Sequence, residues 1–135
     1  MNPHQINWLA VLAAALSTFV VGGLWYSPIL FGRVWLHANG FTETEMKNWG
    51  KTRAFAGTFV FALIMSANLA MFLSDAKTTI IWGMTAGALA GLGWVAAGVA
   101  IIALFERRSW SYILVNCGYL AVTFILMGAI LGAWR

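Results

Sequence analysis

The chain has 135 residues, of which 61% are hydrophobic and only 9% are charged, and its formal net charge is +4. Soluble domains are about half apolar and about one quarter charged, and a small domain buries only part of its surface. These values exclude a water-soluble globule. The basic residues lie beside apolar stretches, which indicates membrane topology determinants rather than a nucleic-acid interface.

Four uncharged apolar runs are predicted to cross the membrane as helices. They cover residues 7–25, 54–73, 79–104 and 112–134, named spans one to four. Each run reaches the roughly 20 residues that a helix needs to cross the hydrocarbon core, and none alternates as a barrel strand would. The predicted fold class is all-α, a four-helix transmembrane bundle that forms a single domain over residues 1–135.

The loop between spans one and two has helix signals of its own. Ser27 and Pro28 have the character of an N-cap and a first helical residue, and Asn39-Gly40 is a typical helix end. A short amphipathic helix over residues 28–38 is therefore predicted to lie in the membrane interface.

A second start signal follows that helix directly. Thr42 and Glu45 have capping-box spacing. This predicts a second transmembrane helix that begins near Glu43, outside the membrane, and continues into span two without a break.

Basic residues are unevenly divided between the two sides of the predicted bundle. Loops one and three carry six of them, and the other side carries two: Arg33, Lys47, Lys51, Arg53, Arg107 and Arg108, against Lys77 and Arg135. Because cytoplasmic loops are enriched in Lys and Arg, both termini are predicted to be non-cytoplasmic. A multi-pass protein of the bacterial inner membrane is expected.

Glycines recur at four-residue spacing in the last two spans. Gly83, Gly87 and Gly91 lie in span three, and Gly128 and Gly132 lie in span four. Small residues let helix backbones approach closely in lipid, where no hydrophobic force drives helices together. The glycines therefore predict close helix packing, either within this chain or with another.

Several short motifs occur in a recognisable order along the chain. They are Trp25-Tyr26-Ser27-Pro28, Phe31-Gly32, Trp35, Leu104-Phe105-Glu106-Arg107-Arg108, Asn116, Gly118-Tyr119, Met127-Gly128 and Gly132. With these motifs the chain resembles the membrane family catalogued as domain of unknown function 1761, which is found in bacteria and fungi. The resemblance covers nearly the whole chain and implies four membrane helices. It implies no activity and no catalytic residue.

Two amides and several hydroxyls are the polar groups inside the spans. Asn68 and Asn116 are interpreted as hydrogen-bonding groups between helices, with substrate binding as the alternative. The hydroxyls are expected to bond to carbonyls one turn earlier on their own helices. They belong to Ser17, Thr18, Ser66 and Thr123.

Aromatic and basic residues meet at the predicted cytoplasmic surface. Trp25, Tyr26 and Trp35 are typical of an interfacial aromatic belt. The alternative is a pocket for a lipid headgroup or hydrophobic ligand beside Arg33. Arg107 and Arg108 lie beside Glu106 in loop three. We interpret them as forming a surface ion pair with Glu106, with a contact to anionic lipid as the alternative.

No Asp, Glu, Lys, Arg or His lies in the middle of a span. An ion-coupled transporter, a proton relay or a metalloenzyme usually keeps one there, so these classes are disfavoured. His4 and His37 are predicted on opposite sides of the membrane, and Cys117 is the only cysteine, so no metal site is expected. No cofactor and no catalysis are expected either.

Three classes of function remain after these exclusions. The first is a helix-packing scaffold or accessory subunit of a homo-oligomer or larger membrane complex, with membrane lipid and other membrane subunits as partners. The second is an oligomeric pore or carrier for a small neutral or hydrophobic solute. The third is an enzyme acting on lipid, which is the weakest of the three because the sequence offers no converging set of acid, base and nucleophile. A carrier would need Asn68, Ser66, Asn116 and Thr123 to face one cavity.

Overall fold

A computed structural model describes residues 6–47 and 50–134, and this part of the chain is helical without strands. Its helices are α1 (Trp8–Trp25), α2 (Gly32–Asn39), α3 (Glu43–Lys47), α4 (Lys51–Phe72), α5 (Ile80–Ala90), α6 (Ala97–Phe105) and α7 (Trp110–Ala133). Four helices are long and apolar enough to cross a membrane: α1, α4, Ile80–Phe105 and α7, which are spans one to four. The all-helical bundle predicted from the sequence is confirmed.

Polar side chains begin three of these spans. Asn7 Oδ1 accepts hydrogen bonds from the backbone N–H groups of Leu9 and Ala10, at 3.1 and 3.2 Å. The hydroxyl oxygens of Thr79 and Ser109 accept from backbone N–H groups three residues later, at 3.1 and 3.2 Å. Each cap satisfies a backbone donor that has no partner within the helix.

The helix predicted between spans one and two is shorter than expected. It begins at Gly32 and not at Pro28, because the Ser27 hydroxyl turns back to donate to the Leu24 carbonyl at 2.7 Å. Two backbone bonds close the same bend, from Phe31 N to Trp25 O at 3.0 Å and from Gly32 N to Ser27 O at 2.9 Å. The residues between the two helices therefore form turns. The end matches the prediction, since Gly40 is left-handed with φ 71°.

The predicted uninterrupted helix from Glu43 into span two is wrong. Thr42 does accept a hydrogen bond from the Glu45 N–H, at 3.1 Å, but the resulting helix ends at Lys47. Gly50 then has extended backbone, with ψ 100°, and span two begins anew at Lys51. Glycine destabilises a helix interior, but it is well tolerated where the backbone leaves helical geometry, as at Gly50.

Span three contains a feature that the sequence analysis did not predict. Between α5 and α6 the backbone forms a π-helical segment, Gly91–Ala96. The three segments together make one span, Ile80–Phe105. Such π-helical segments are rare and usually short. At the end of this one, the Ala96 carbonyl accepts a hydrogen bond from the Cys117 Sγ on α7, at 3.2 Å.

The spans are arranged around α7. This helix contacts α1, α2, α4 and all parts of span three, whereas α4 packs mainly on α1. Span two and span three have little direct contact, apart from the rings of Phe72 and Trp82, whose centroids lie 6.3 Å apart. The bundle is therefore open on the side between spans two and three.

The interior of the bundle is built from small side chains. Ala10 and Ala14 of α1 are fully buried, and they face Ala62 and Ala70 of α4, which are also buried. Larger residues fill the middle around Met127, which is fully buried. Alanine brings two backbones close at little side-chain entropy cost, which suits packing in lipid.

Candidate functional site

The end of α1 is fixed to α7 by two side-chain hydrogen bonds. Trp25 Nε1 donates to the Val115 carbonyl at 2.8 Å, and the Tyr26 hydroxyl donates to Asn116 Oδ1 at 2.6 Å. The Asn116 amide nitrogen donates to the Tyr112 carbonyl one turn earlier, at 2.9 Å. The Asn116 side chain therefore uses both its oxygen and its nitrogen, and the bond to the oxygen joins the end of α1 to α7.

Aromatic rings surround these hydrogen bonds and form what we call the aromatic cluster: Trp25, Tyr26, Phe31, Trp35 and Tyr119. The ring centroids of Trp25 and Phe31 are 4.6 Å apart, and Tyr26 lies 5.2 Å from Tyr119 and 5.7 Å from Trp35. The Tyr119 hydroxyl donates to the Thr18 carbonyl at 3.2 Å. The cluster joins α1, α2 and α7 in one contact.

Two glycines make room for the aromatic cluster. A Cβ on Gly118 would lie 2.7 Å from Trp25 Cζ2, and one on Gly32 would collide with the Tyr26 carbonyl oxygen. Any larger residue at either position would displace its neighbour. The motifs of residues 25–35 and 116–119 are thus complementary in shape, although they are far apart in the sequence.

The Tyr26 phenol, one residue beyond the end of α1, is in its neutral form at physiological pH. Burial raises its pKa above the ordinary value, and the neighbouring Tyr119 phenol acts in the same direction. A neutral phenol keeps its O–H, which is the donor that Asn116 Oδ1 requires. The arrangement offers a structural hydrogen bond rather than an acid or a base.

The basic residues near this surface lie outside the cluster. Arg33 is exposed on α2. Arg108 Nε approaches Glu106 Oε2 at 3.5 Å, and its guanidinium lies 5.0 Å from the centre of the Tyr112 ring. Arg107 is exposed, with a left-handed backbone at φ 59°. These contacts shape the turn between spans three and four.

Glycines of span three and span four meet backbone to backbone. A Cβ on Gly83 would collide with the Gly128 carbonyl oxygen, and the reverse is also true. One turn further, a Cβ on Gly87 would collide with the Phe124 carbonyl oxygen. The remaining two glycines of the pattern also face the opposite helix: Gly91 lies against Phe124, and Gly132 against Thr79.

The four span hydroxyls named in the sequence analysis have three different outcomes. Ser17 and Thr18 donate to carbonyls three residues earlier on α1. Ser66 does not follow this expectation, since it donates to the Val11 carbonyl of α1 at 2.8 Å and so joins spans one and two. The prediction for Thr123 is also wrong: its Oγ1 completes no hydrogen bond with a described residue, although the Tyr119 phenol lies beside it.

Two grooves open on the surface of the bundle. The first, called the α4–α7 groove, has a volume of 710 Å³ and lies between α1, α4 and α7, with Arg53, Gly57 and Thr123 in its wall. The second, called the α4–α5 groove, has a volume of 810 Å³ and lies between spans two and three, with Asn68 and Gly93 in its wall. Asn68 is exposed there. Sequence reasoning missed both grooves, since they depend on which helices are neighbours.

Residues with metal-ligating side chains do not come together in the described ranges 6–47 and 50–134. His37 is exposed on α2, and Cys117 is occupied by its contact to Ala96. His4 and Arg135, whose sides of the membrane were predicted above, lie outside these ranges.

Four apolar spans joined by an aromatic cluster and glycine contacts define a multi-pass membrane protein. The chain belongs to the family described as protein of unknown function (DUF1761), which it matches over residues 9–132. The resemblance seen in the sequence motifs is therefore confirmed. Neither the curated proteins nor the solved structures gave a match to this chain.

Proposed function

We propose that this protein is a non-catalytic helix-packing subunit of a homo-oligomeric membrane complex. The observation that carries the proposal is the location of the four polar groups that a carrier path would use. Ser66 bonds to α1, Asn116 to the aromatic cluster, Thr123 lies in the α4–α7 groove, and Asn68 lies in the α4–α5 groove. A carrier would need these groups along one path, and their separation favours a packing role.

The α4–α5 groove is the surface that we assign to a second copy of the chain. Its volume of 810 Å³ matches roughly two turns of a helix about 10 Å in diameter. Spans two and three bury only 22% and 17% of their most apolar windows, against 39% for spans one and four. The two least buried spans therefore flank the groove.

The lining of the groove supports a helix as its occupant. On the wall formed by span three, the small residues Ala86, Ala90 and Gly93 lie among larger apolar side chains. Small residues let membrane helices approach closely. The Asn68 amide has no hydrogen bond among the described residues. An amide both donates and accepts, so two Asn68 side chains can pair across the two-fold axis of a homodimer.

The orientation predicted from the basic residues is part of this proposal. Arg33, Arg53 and Lys51 lie on the loop-one side, together with the arginines at the turn before α7. By the excess of Lys and Arg, that side is cytoplasmic and both termini are outside, in a bacterial inner membrane.

Native mass spectrometry after gentle membrane extraction tests the proposal. The parent chain, of 14.7 kDa, should appear as a complex with a fixed number of copies. Gly93→Leu should convert it to monomer, because a Cβ at Gly93 meets nothing within 4 Å in the monomer and the new side chain would fill the groove. Asn68→Ala should weaken the complex, since interhelical hydrogen bonds in membranes contribute about 0.6 kcal/mol on average.

Gly98→Leu is the matched control, because a Cβ there also meets nothing within 4 Å and Gly98 does not line the groove. It should remain oligomeric. A monomeric parent, or a Gly93→Leu variant that assembles like the parent, would refute the packing proposal. A parent complex containing a different protein in fixed ratio would replace the second copy with that partner.

A further inference from the structure

The α4–α7 groove has chemistry that the proposed function does not use. It lies between α1, α4 and α7, shares only Met65 with the face assigned to a second copy, and has a volume of 710 Å³. Gly57 holds it open on the α4 side, because a Cβ built there would meet nothing within 4 Å. Gly57 therefore leaves space for a ligand on the α4 side of the groove.

One end of the groove is positively charged. Arg53 lies in its wall in the first turn of α4, where it is exposed and has no acidic partner in the described part of the chain. Gly50, the N-cap of α4, also lines the groove and has no side chain to accept from the first N–H groups. The N–H groups at a helix N-terminus and the helix dipole favour an anion at such a position.

The deeper part of the groove is apolar. Phe61, Met65 and Leu120 line it, and the rise of 1.5 Å per residue places Met65 about 18 Å from Arg53 along α4. Its polar groups are the hydroxyls of Thr18, Thr58, Tyr119 and Thr123. The first three donate to backbone carbonyls, whereas the Thr123 hydroxyl is 1% exposed and without a completed hydrogen bond among the described residues. The site thus combines a cationic mouth at a helix end with a long, mainly apolar channel.

We propose that the α4–α7 groove binds one acyl chain of an anionic phospholipid, with the phosphate at Arg53. The chain lies along Gly57 and Phe61 and ends near Met65. Charge complementarity selects an anionic headgroup, since a basic residue near the membrane surface contributes about fivefold in affinity for anionic lipid. The apolar channel excludes a free phosphate or a soluble anion as the natural occupant, because neither would cover it.

Binding is measured on the delipidated full chain by native mass spectrometry with two lipids of identical acyl chains. The lipids are phosphatidylglycerol, which is anionic, and phosphatidylcholine, which is zwitterionic. Phosphatidylglycerol should form a one-to-one adduct at least about fivefold more tightly than phosphatidylcholine. Equal affinity for the two lipids would overturn the proposal.

Substitutions then locate the site. Arg53→Gln should weaken phosphatidylglycerol binding about fivefold, whereas Arg33→Gln removes the same charge from an exposed position on α2 and should not. Gly57→Leu should abolish the adduct by filling the groove, whereas Gly98→Leu, an equally open glycine on α6, should retain it. Binding that survives Gly57→Leu, or that falls equally with both arginine variants, would place the lipid elsewhere.

Thr123→Val separates an acyl chain from other ligands. An acyl chain has no polar atom at the depth of Thr123, so this isosteric change should leave phosphatidylglycerol affinity unaltered. A loss of affinity would indicate an occupant with a polar group there and would contradict the assignment. Each variant is first compared with the parent in apparent melting temperature, so that misfolding is not read as lost binding. Because Gly93 does not line this groove, loss of lipid and loss of oligomer are independent results.

Discussion

Tyr26 and Asn116 are separated by 90 residues in the sequence, yet their side chains share a hydrogen bond of 2.6 Å. Both side chains are partly buried, at the end of α1 and in the second turn of α7. Measured interhelical bonds in membranes are nonetheless modest, about 0.6 kcal/mol on average with a maximum near 1.7. Shape complementarity between Trp25 and Gly118 therefore complements this bond in positioning α1 on α7.

A double-mutant cycle with Tyr26→Phe and Asn116→Ala should measure that bond. We expect a coupling energy of about 0.6–1.7 kcal/mol, because each single variant removes one partner of the same interaction. The measurement is reversible unfolding in mixed micelles, with the double variant compared with the sum of the singles.

Tyr26→Phe combined with Asn68→Ala supplies the control cycle. Asn68 lies in the α4–α5 groove and does not touch the aromatic cluster, so the two changes should be additive. Coupling of similar size in both cycles would show that the hydrogen bond is not what the first cycle measures.

Hydroxyl side chains mark how far residue-level prediction extends. The bonds of Ser17 and Thr18 follow from local helix geometry alone, because donor and acceptor lie on one turn. Ser66 has the same local option but bonds to Val11 on another helix. A choice between a local and a distant acceptor depends on which helix lies opposite, and the sequence around Ser66 carries no signal for that.

At the level of elements, span three and span four pack so closely that their contact leaves no space for added side-chain atoms. Gly83 and Gly87 face the carbonyl oxygens of Gly128 and Phe124 so closely that no Cβ fits. The carbonyl groups themselves belong to helix hydrogen bonding and cannot rotate away. Close approach of this kind also brings Cα–H groups near carbonyl oxygens, which adds a weak attraction.

Gly87→Leu should therefore destabilise the bundle by more than the roughly 1–3 kcal/mol that overpacking typically costs. The two helices must separate to admit the side chain, and every contact along α7 is affected. The measurement is the apparent melting temperature in detergent, together with the yield of monodisperse protein.

Gly98→Leu makes the same chemical change in the same span without a clash, so it should melt within a few degrees of the parent. Equal melting of Gly87→Leu and the parent would contradict the close contact between spans three and four.

Element boundaries are less accessible to sequence reasoning than the elements themselves. The four spans are recognisable because about 20 apolar residues in a row, with no charge among them, indicate a membrane helix. Pro28 has the character of a helix start, but hydrogen bonds around Ser27 and Gly32 hold that segment in turns. The break at Gly50 depends on its backbone angles, which glycine leaves undetermined by sequence alone. The π-helical segment after Ala90 had no signal among the sequence patterns used for prediction.

For the whole molecule, the neighbour relations of the spans were not predictable. Helices that are apolar on every side have no amphipathic stripe to indicate which face is inside. The central place of α7 and the opening between spans two and three therefore emerge only from the three-dimensional arrangement. The orientation of the chain across the membrane, in contrast, can be predicted from the sequence, because it depends on charges that lie outside the bilayer.

Cysteine labelling tests the proposed sidedness in cells. In a Cys117→Ala background, which removes the only cysteine, Thr44→Cys and Ala76→Cys place single thiols at exposed positions on opposite sides. A membrane-impermeant maleimide should label the Ala76→Cys variant in intact spheroplasts and the Thr44→Cys variant only after permeabilisation. The reason is the excess of Lys and Arg on the loop-one side.

The reverse labelling pattern would show that the chain has the opposite orientation in the membrane, with the loop-one side outside. Labelling of both thiols in intact cells would mean insertion in two orientations, which equally contradicts a single sidedness. A Cys117→Ala parent should remain unlabelled throughout.

The central position of α7 has a consequence for the order of events at the ribosome. The acceptors of Trp25 and Tyr26 lie 90 residues further along the chain, so at about 5–20 residues per second the first span waits roughly 5 to 20 s for its neighbour. During that interval three spans are in the bilayer without the helix that most of them contact. The contacts that hold spans one to three together are therefore completed only after α7 has been synthesised.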